Sequence, residues 1–255
     1  MSPLLQISSN PILRQILRSV LQNRVSNRKL THWPLYVTFC AANHLNLFFS
    51  TSIDYEPQLL KYLNQYLCPG GVMFDVGANL GIYTLVAAYI VGHQGQVYSF
   101  EPDPQNNPWL QKNIGKNNLT NTHVFDVALA STYGETILYQ DVTTHRTSSL
   151  VAGAWNPDSA STQRIMVKTI PLDHFVHQIE RLDFIKIDVE GFEYEVLKGA
   201  QNLLSTFKPK LLIEVTYRNY LPVFELLSSM GYGFIDPWSG RSLGINNYVS
   251  NILCT

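Results

Sequence analysis

The chain has 255 residues, 45% of them apolar and 15% charged, with a formal net charge of −1. That is enough chain for one large domain with a sizeable core, and a near-neutral balance excludes a nucleic-acid binder that works through a basic face. Cys40, Cys68 and Cys254 have neither the paired spacing of a disulfide framework nor histidine neighbours that would suggest zinc. No apolar run approaches a membrane span, and Gln6, Ser8, Ser9 and Asn10 interrupt what a signal peptide would keep apolar, so the expectation is a cytoplasmic protein.

In chain order, residues 11–24 place Ile12, Leu13, Ile16, Leu17, Val20 and Leu21 at helical spacing, with Arg14 and Arg18 on the opposite side. Arg14, Arg18, Arg24, Arg28 and Lys29 precede the first acid, Asp54, so the extension is basic and the remainder acidic. The helix reads as packed on the domain or capping its site, with peripheral contact to a membrane surface or other anionic partner as the alternative. Residues 32–53, with Trp33, Tyr36, Val37, Phe39 and an apolar run at 45–49, suggest short strands, and 54–67 a helix. The division expected is an N-terminal extension over 1–53 and a main domain over 54–255.

The main domain then alternates: strand 72–76, helix 81–91, strand 96–101, helix 104–117, strand 123–127. Such alternation implies a parallel sheet in an α/β fold. Strands at 136–140 and 165–170 flank a polar stretch, 141–163, which reads as a mobile substrate loop. Two buried strands, 183–189 and 209–215, and helices near 193–206 and 219–230 follow, and Phe234, Ile235, Tyr248, Ile252 and Leu253 suggest closing strands.

Three stretches carry chemistry. VMFDVGANLGIYTL, residues 72–85, reads as a buried strand, a glycine turn and a helix start. Gly77 and Gly81 let the chain turn sharply and a ligand approach the main chain, and the helix start offers N–H groups to an anionic part of a ligand. One crossover later, VYSFEPD puts Glu101 at a strand tip, the position that grips ribose hydroxyls in nucleotide-binding sheets. DFIKIDVEGFE, starting at residue 183, carries Lys186 on a strand and delivers Asp188 and Glu190 to its exit. Ligands of open α/β sheets bind beyond the carboxyl ends of the strands, so Asp75, Glu101, Asp188 and Glu214 are expected to face one crevice.

DVGANLG, FEPDP, KIDVEGFEYEVLKGA and LLIEV, in that order, resemble the FkbM family of S-adenosylmethionine-dependent methyltransferases. The resemblance implies a Rossmann-like class I methyltransferase fold, with a mostly parallel seven-stranded sheet and helices on both faces. It further implies S-adenosyl-L-methionine as cofactor, with Asp75, Gly77, Asn79 and Gly81 at the methionine part, Glu101 and Pro102 at the ribose, and Asp126, Val127 and Ala128 flanking the adenine. The reaction implied is methylation of a hydroxyl on a sugar, a glycolipid or a natural product.

Methyl transfer is an in-line displacement in which the protein aligns the acceptor oxygen and helps remove its proton. Asp188 is the first choice of base, with Glu190, Glu214 and His145 as alternatives. Lys186 would share the face of Asp188 and orient it, or simply neutralise a carboxylate within the fold. Glu190 and Glu193 could equally be acids favoured by a helix start. No metal is expected, because Asp188 and Glu214 lack a clear third ligand and the histidines show no HxH or HExxH pattern. The rival readings are an NAD-dependent oxidoreductase, whose loop would carry GxGxxG where this chain has GxNxG, and a binding module that has lost the chemistry.

Overall fold

The computed structural model describes residues 11–141, 148–151 and 162–255. An N-terminal helix, α1 (Pro11–Leu21), leads into an antiparallel hairpin, β1 (Val25–Lys29) and β2 (Tyr36–Cys40), then a single helical turn, α2 (Leu45–Phe48), and α3 (Pro57–Tyr66). β3 (Val72–Val76), α4 (Ile82–Val91), β4 (Gln96–Phe100), α5 (Asn107–Lys116) and β5 (Thr122–Phe125) form two consecutive crossovers. A small sheet follows, of β6 (Ala128–Leu129), β7 (Gly134–Asp141), β8 (Ser148–Ser149) and β9 (Thr162–Ile170). The chain then returns through β10 (Phe184–Ile187), α6 (Glu193–Lys198), α7 (Gln201–Phe207), β11 (Lys210–Glu214), α8 (Tyr217–Ser229), β12 (Phe234–Ile235) and β13 (Asn251–Cys254).

The main sheet has seven strands in the order β12-β13-β11-β10-β3-β4-β5. β13 alone runs against its neighbours, pairing antiparallel with β11 and β12, while β11, β10, β3, β4 and β5 are parallel. This mostly parallel α/β sheet is the class I methyltransferase arrangement expected from the sequence. The order reverses between β3 and β10, so a crevice opens at their carboxyl ends, the switch point where open sheets take ligands. Side chains alternate across the sheet. Phe74, Ile185, Ile213 and Ile252 pack under α6, α7 and α8, and Met73, Phe184, Leu212 and Leu253 pack under α3, α4 and the N-terminal hairpin.

Several boundaries differ from the expected ones for physical reasons. The helix expected over 193–206 is two helices. Gly199 packs so closely that a Cβ there would lie 2.1 Å from the Ala130 carbonyl oxygen, and the Asp173 carboxylate accepts the N–H groups of Asn202 and Leu203 at 3.2 and 2.8 Å, starting α7 afresh. The apolar run at 45–48 is a helical turn rather than a strand. The first helix stops at Leu21, because residues 25–29 leave it to pair with β2.

The extension is tied to α5 by side chains. Asn113 donates to Thr38 O at 3.1 Å and accepts Thr38 N–H at 2.6 Å, and Asn117 makes the same pair with Tyr36 at 2.7 and 2.8 Å. Leu30, Val37 and Phe39 join the core beneath α3 and α4.

Candidate active site

The pleat places Asp75 and Lys186 side by side on the face under α4, since they are register partners on adjacent strands. Asp75 is fully buried. One carboxylate oxygen accepts the Thr84 hydroxyl at 2.6 Å, and the other has no hydrogen bond and lies 3.9 Å from Lys186 Nζ. The sequence reading set Asp75 at the strand tip facing the crevice; β3 ends at Val76 as expected, but the Asp75 side chain lies on the sheet face against α4 instead. Burial raises its pKa, against the pull of Lys186 and Thr84.

Lys186 Nζ donates to Gly77 O at 3.0 Å and to Asp188 Oδ2 at 3.1 Å. Burial alone would depress this ammonium, but Asp188 and Asp75 outweigh it and its pKa ends above the ordinary value. The buried lysine therefore stays charged and holds the carboxylate of Asp188 in place.

The glycine loop is organised inward. Gly77 and Ala78 donate their N–H groups to Phe100 O at 3.0 and 3.1 Å, Asn79 to Glu101 Oε2 at 2.7 Å, and Gly81 to Ala78 O at 2.8 Å. These amides are engaged within the protein, so the loop offers a ligand its surface and its shape rather than these donors. Glu101 also accepts Asp103 N–H at 2.9 Å. Burial, moderated by these two bonds, pushes Glu101 up to about 7.

A cavity opens beyond the tips of β3 and β4, lined by Gly77, Asn79, Glu101, Pro102, Val127, Ala128, Asp188 and Glu190. Ser148 and Leu150 close one side. Ser148 donates to Asp103, which also accepts Gln140 Nε2 at 2.7 and 2.8 Å, and Ser149 donates to Glu190 O at 2.7 Å. This short strap thus ties the Glu101 loop to the Glu190 loop. Asp126 stands apart, exposed beside a different depression with Pro104, Val124 and Met166, because the chain turns it to the other side of the Val127 and Ala128 wall.

A second, larger hollow adjoins the first, and Gly77, Asn79, Asp188 and Glu190 line both. Its other walls are Tyr55, Glu56, Tyr83, Lys186 and Glu214, with Arg18, His44 and Asn46 from the extension. Glu190 occupies the left-handed turn before α6, at φ 52°, rather than the helix itself. Burial, then the charges of Asp188 and Glu193, push it up to about 7. Glu214 ends β11 on the same face as Lys186, and partial desolvation with the Asp188, Glu190 and Glu56 charges brings it to about 7 as well. Glu193 is different. Its carboxylate accepts Gly191 N–H at 2.7 Å and Asn219 Nδ2 at 2.9 Å, a structural brace for the turn.

Glu56, Tyr55 and Tyr83 were not singled out in the sequence. Tyr83 OH donates to Glu56 Oε2 at 2.8 Å, and burial raises both phenols well above their ordinary pKa, so they remain neutral. The one sequence cue was Glu56 before Pro57 at a helix start. His145 lies outside the described residues, as does most of the polar stretch read as a substrate loop. Among the described residues no group of three or more His, Cys, Asp or Glu is placed to hold a metal ion.

The family model for the methyltransferase FkbM domain matches residues 75–234. The chain is 29% identical over 154 residues to the hexuronic acid methyltransferase AglP of Haloferax volcanii, covering 59% of each chain. It is 27% identical over 146 residues to Methyltransferase 1 of Beauveria bassiana, covering 50% of this chain and 57% of that one. It thus spans less than two thirds of the length of either relative. Among solved structures, a methyltransferase FkbM from Methylobacillus flagellatus superposes with a TM-score of 0.47 at 17% identity, over 96% of this chain and 60% of that one. With a match that runs from the β3 acid to β12, this chain belongs to the methyltransferase FkbM family.

Proposed function

We propose that this chain transfers a methyl group from S-adenosylmethionine to a hydroxyl of a sugar-bearing acceptor. The observation that carries the reading is the shared wall: Gly77, Asn79, Asp188 and Glu190 line both cavities, so a donor in one and an acceptor in the other meet beside Asp188. The first cavity suits the donor. Glu101 keeps lone pairs for a ribose diol after accepting two backbone N–H groups. Val127 and Ala128 offer an apolar wall for a base. S-adenosylmethionine bound there supplies a sulfonium methyl group that is already reactive.

The remaining chemistry falls to the chain's own residues. Asp188 accepts the hydrogen bond of the acceptor hydroxyl and takes its proton as the oxygen attacks. Lys186, clamped between Gly77 O and Asp188, fixes the direction of that carboxylate. Tyr55, Glu56, Glu190 and Glu214 provide hydrogen-bonding edges suited to a polyol. The family relative named for hexuronic acid supports a sugar acceptor, but the four carboxylates around this hollow outnumber its cations, Lys186 and Arg18, and this excess favours a neutral sugar ring.

Calorimetric titration with S-adenosylhomocysteine, with NAD in parallel, tests the donor site, and methyl transfer to neutral hexosides against hexuronates tests the acceptor. Saturable binding of S-adenosylhomocysteine that Glu101→Ala weakens, with turnover on a hexoside, is expected. Binding of NAD instead would overturn the methyltransferase reading for this chain, and preference for the hexuronate would overturn the acceptor assignment.

A further inference from the structure

The outer side of α1 has no counterpart in the core. Leu17 and Leu21 turn inward onto Ala41, Ala42 and Leu45. Ile12, Ile16 and Val20, spaced one turn apart, are 70%, 53% and 73% exposed. Gln15 and Ser19 lie between them, so among the described residues the outward face carries no charge. On the hairpin that follows, Val25 and Tyr36 are half exposed, and Arg24 and Lys29 are exposed. The first 53 residues hold five basic side chains and no acid, in a chain whose remainder is acidic. On its other side the same helix reaches the acceptor hollow, where Arg18 lines the wall with His44 and Asn46.

We propose that the outward face of α1, in an extension with five basic side chains and no acid, docks on an anionic phospholipid bilayer. The apolar stripe is the part that enters the interface, and the one-sided basic charge selects anionic over zwitterionic headgroups. Among the described residues no helix is long and apolar enough to cross a membrane, so the contact is peripheral. Docked this way, α1 keeps the acceptor hollow, whose wall it helps form on its other side, close to the bilayer. That purpose, presenting a lipid-linked sugar, rests on the function proposed above, whereas the docking itself rests on α1 alone.

The test is flotation of the full chain with vesicles of phosphatidylcholine containing about 30 mol% phosphatidylglycerol, and with phosphatidylcholine alone. The full chain is expected to float only with the anionic vesicles. The Ile12→Ser/Ile16→Ser/Val20→Ser variant should bind at least about tenfold less, and Arg24→Glu/Lys29→Glu, which leaves the stripe intact, should lose most of its binding to anionic vesicles. Each variant is also titrated with S-adenosylhomocysteine. Retained titration with lost flotation supports docking, while flotation unchanged in both variants, or no flotation of the parent chain, overturns it. A parent that floats but binds no S-adenosylhomocysteine keeps the docking surface and removes the donor site.

Discussion

Gly77 lies directly against the main chain of Asp188: a Cβ on Gly77 would stand 1.9 Å from the Asp188 carbonyl oxygen. The first crossover turn and the exit of β10 are therefore in contact at the one place where both cavities share a wall. Gly77 also holds φ 76°, a conformation costly for any side chain. Gly77→Ala should destabilise the fold by about 2–4 kcal/mol and, by moving Asp188, weaken S-adenosylhomocysteine binding in the folded fraction. Thermal melts with parallel titrations check both effects.

Lys186 is the counter-charge for two carboxylates. Lys186→Met should cost about 3–5 kcal/mol, because Asp75 would be left buried without an ion partner. Asp75→Asn introduced into that variant should recover part of the loss, so the pair of substitutions costs less than the sum of the two singles. Urea unfolding of the four proteins measures this coupling, and strict additivity would refute it.

Stability and activity should respond to pH in opposite directions. Glu101, Glu190 and Glu214 sit at about 7 in the fold, against roughly 4.3 for an unfolded chain. Between those values the folded state keeps protons that the unfolded chain has released, so their contribution to stability is complete below the lower value and is lost as pH rises to the upper one. Ionised carboxylates are the better acceptors for hydroxyl groups. Affinity for S-adenosylhomocysteine should therefore climb through about pH 7, and Glu101→Gln should flatten that climb. Melting curves and titrations from pH 5 to about pH 8.5 supply both profiles.

The acids at the exit of β10 should separate cleanly by substitution. Glu193→Ala removes the acceptor for Gly191 N–H and Asn219, and should lower stability by about 1–3 kcal/mol, with activity following the folded fraction. Asp188→Asn should leave S-adenosylhomocysteine binding near the parent value and cut turnover by about 10²–10⁴. Equal turnover losses in Glu190→Gln and Asp188→Asn would move the base to the pair rather than to Asp188.

The central sheet was legible because parallel strands buried on both faces write near-continuous apolar runs, as in VMFDV and FIKI, each broken by a single charged residue. The Lys186 and Asp188 pairing was legible too, since a period of two puts them on one face. What the period could not fix was where the Asp75 side chain goes: β3 stops at Val76 as expected, but its packing under α4 takes the carboxylate from the crevice to the interior. β1, VSNRK, was hidden by its polar sequence, and the LNLF turn by its brevity, since a short apolar run fits helix and strand alike. Tyr55, Glu56, Tyr83 and Ser148 reach the cavities through tertiary placement, which no local pattern encodes.

The paired amides of Asn113 and Asn117 on Tyr36 and Thr38 occupy alternate residues of β2, which are the rungs a neighbouring strand would use. Two side chains of a helix thus stand in for a third strand. The hairpin presents no vacant row of donors and acceptors on that side, so a passing chain finds nothing there to pair with. Asn113→Ala with Asn117→Ala would uncover that row and turn a sealed border into a site for strand recruitment, which makes these two asparagines guards against self-association as much as fasteners of the fold.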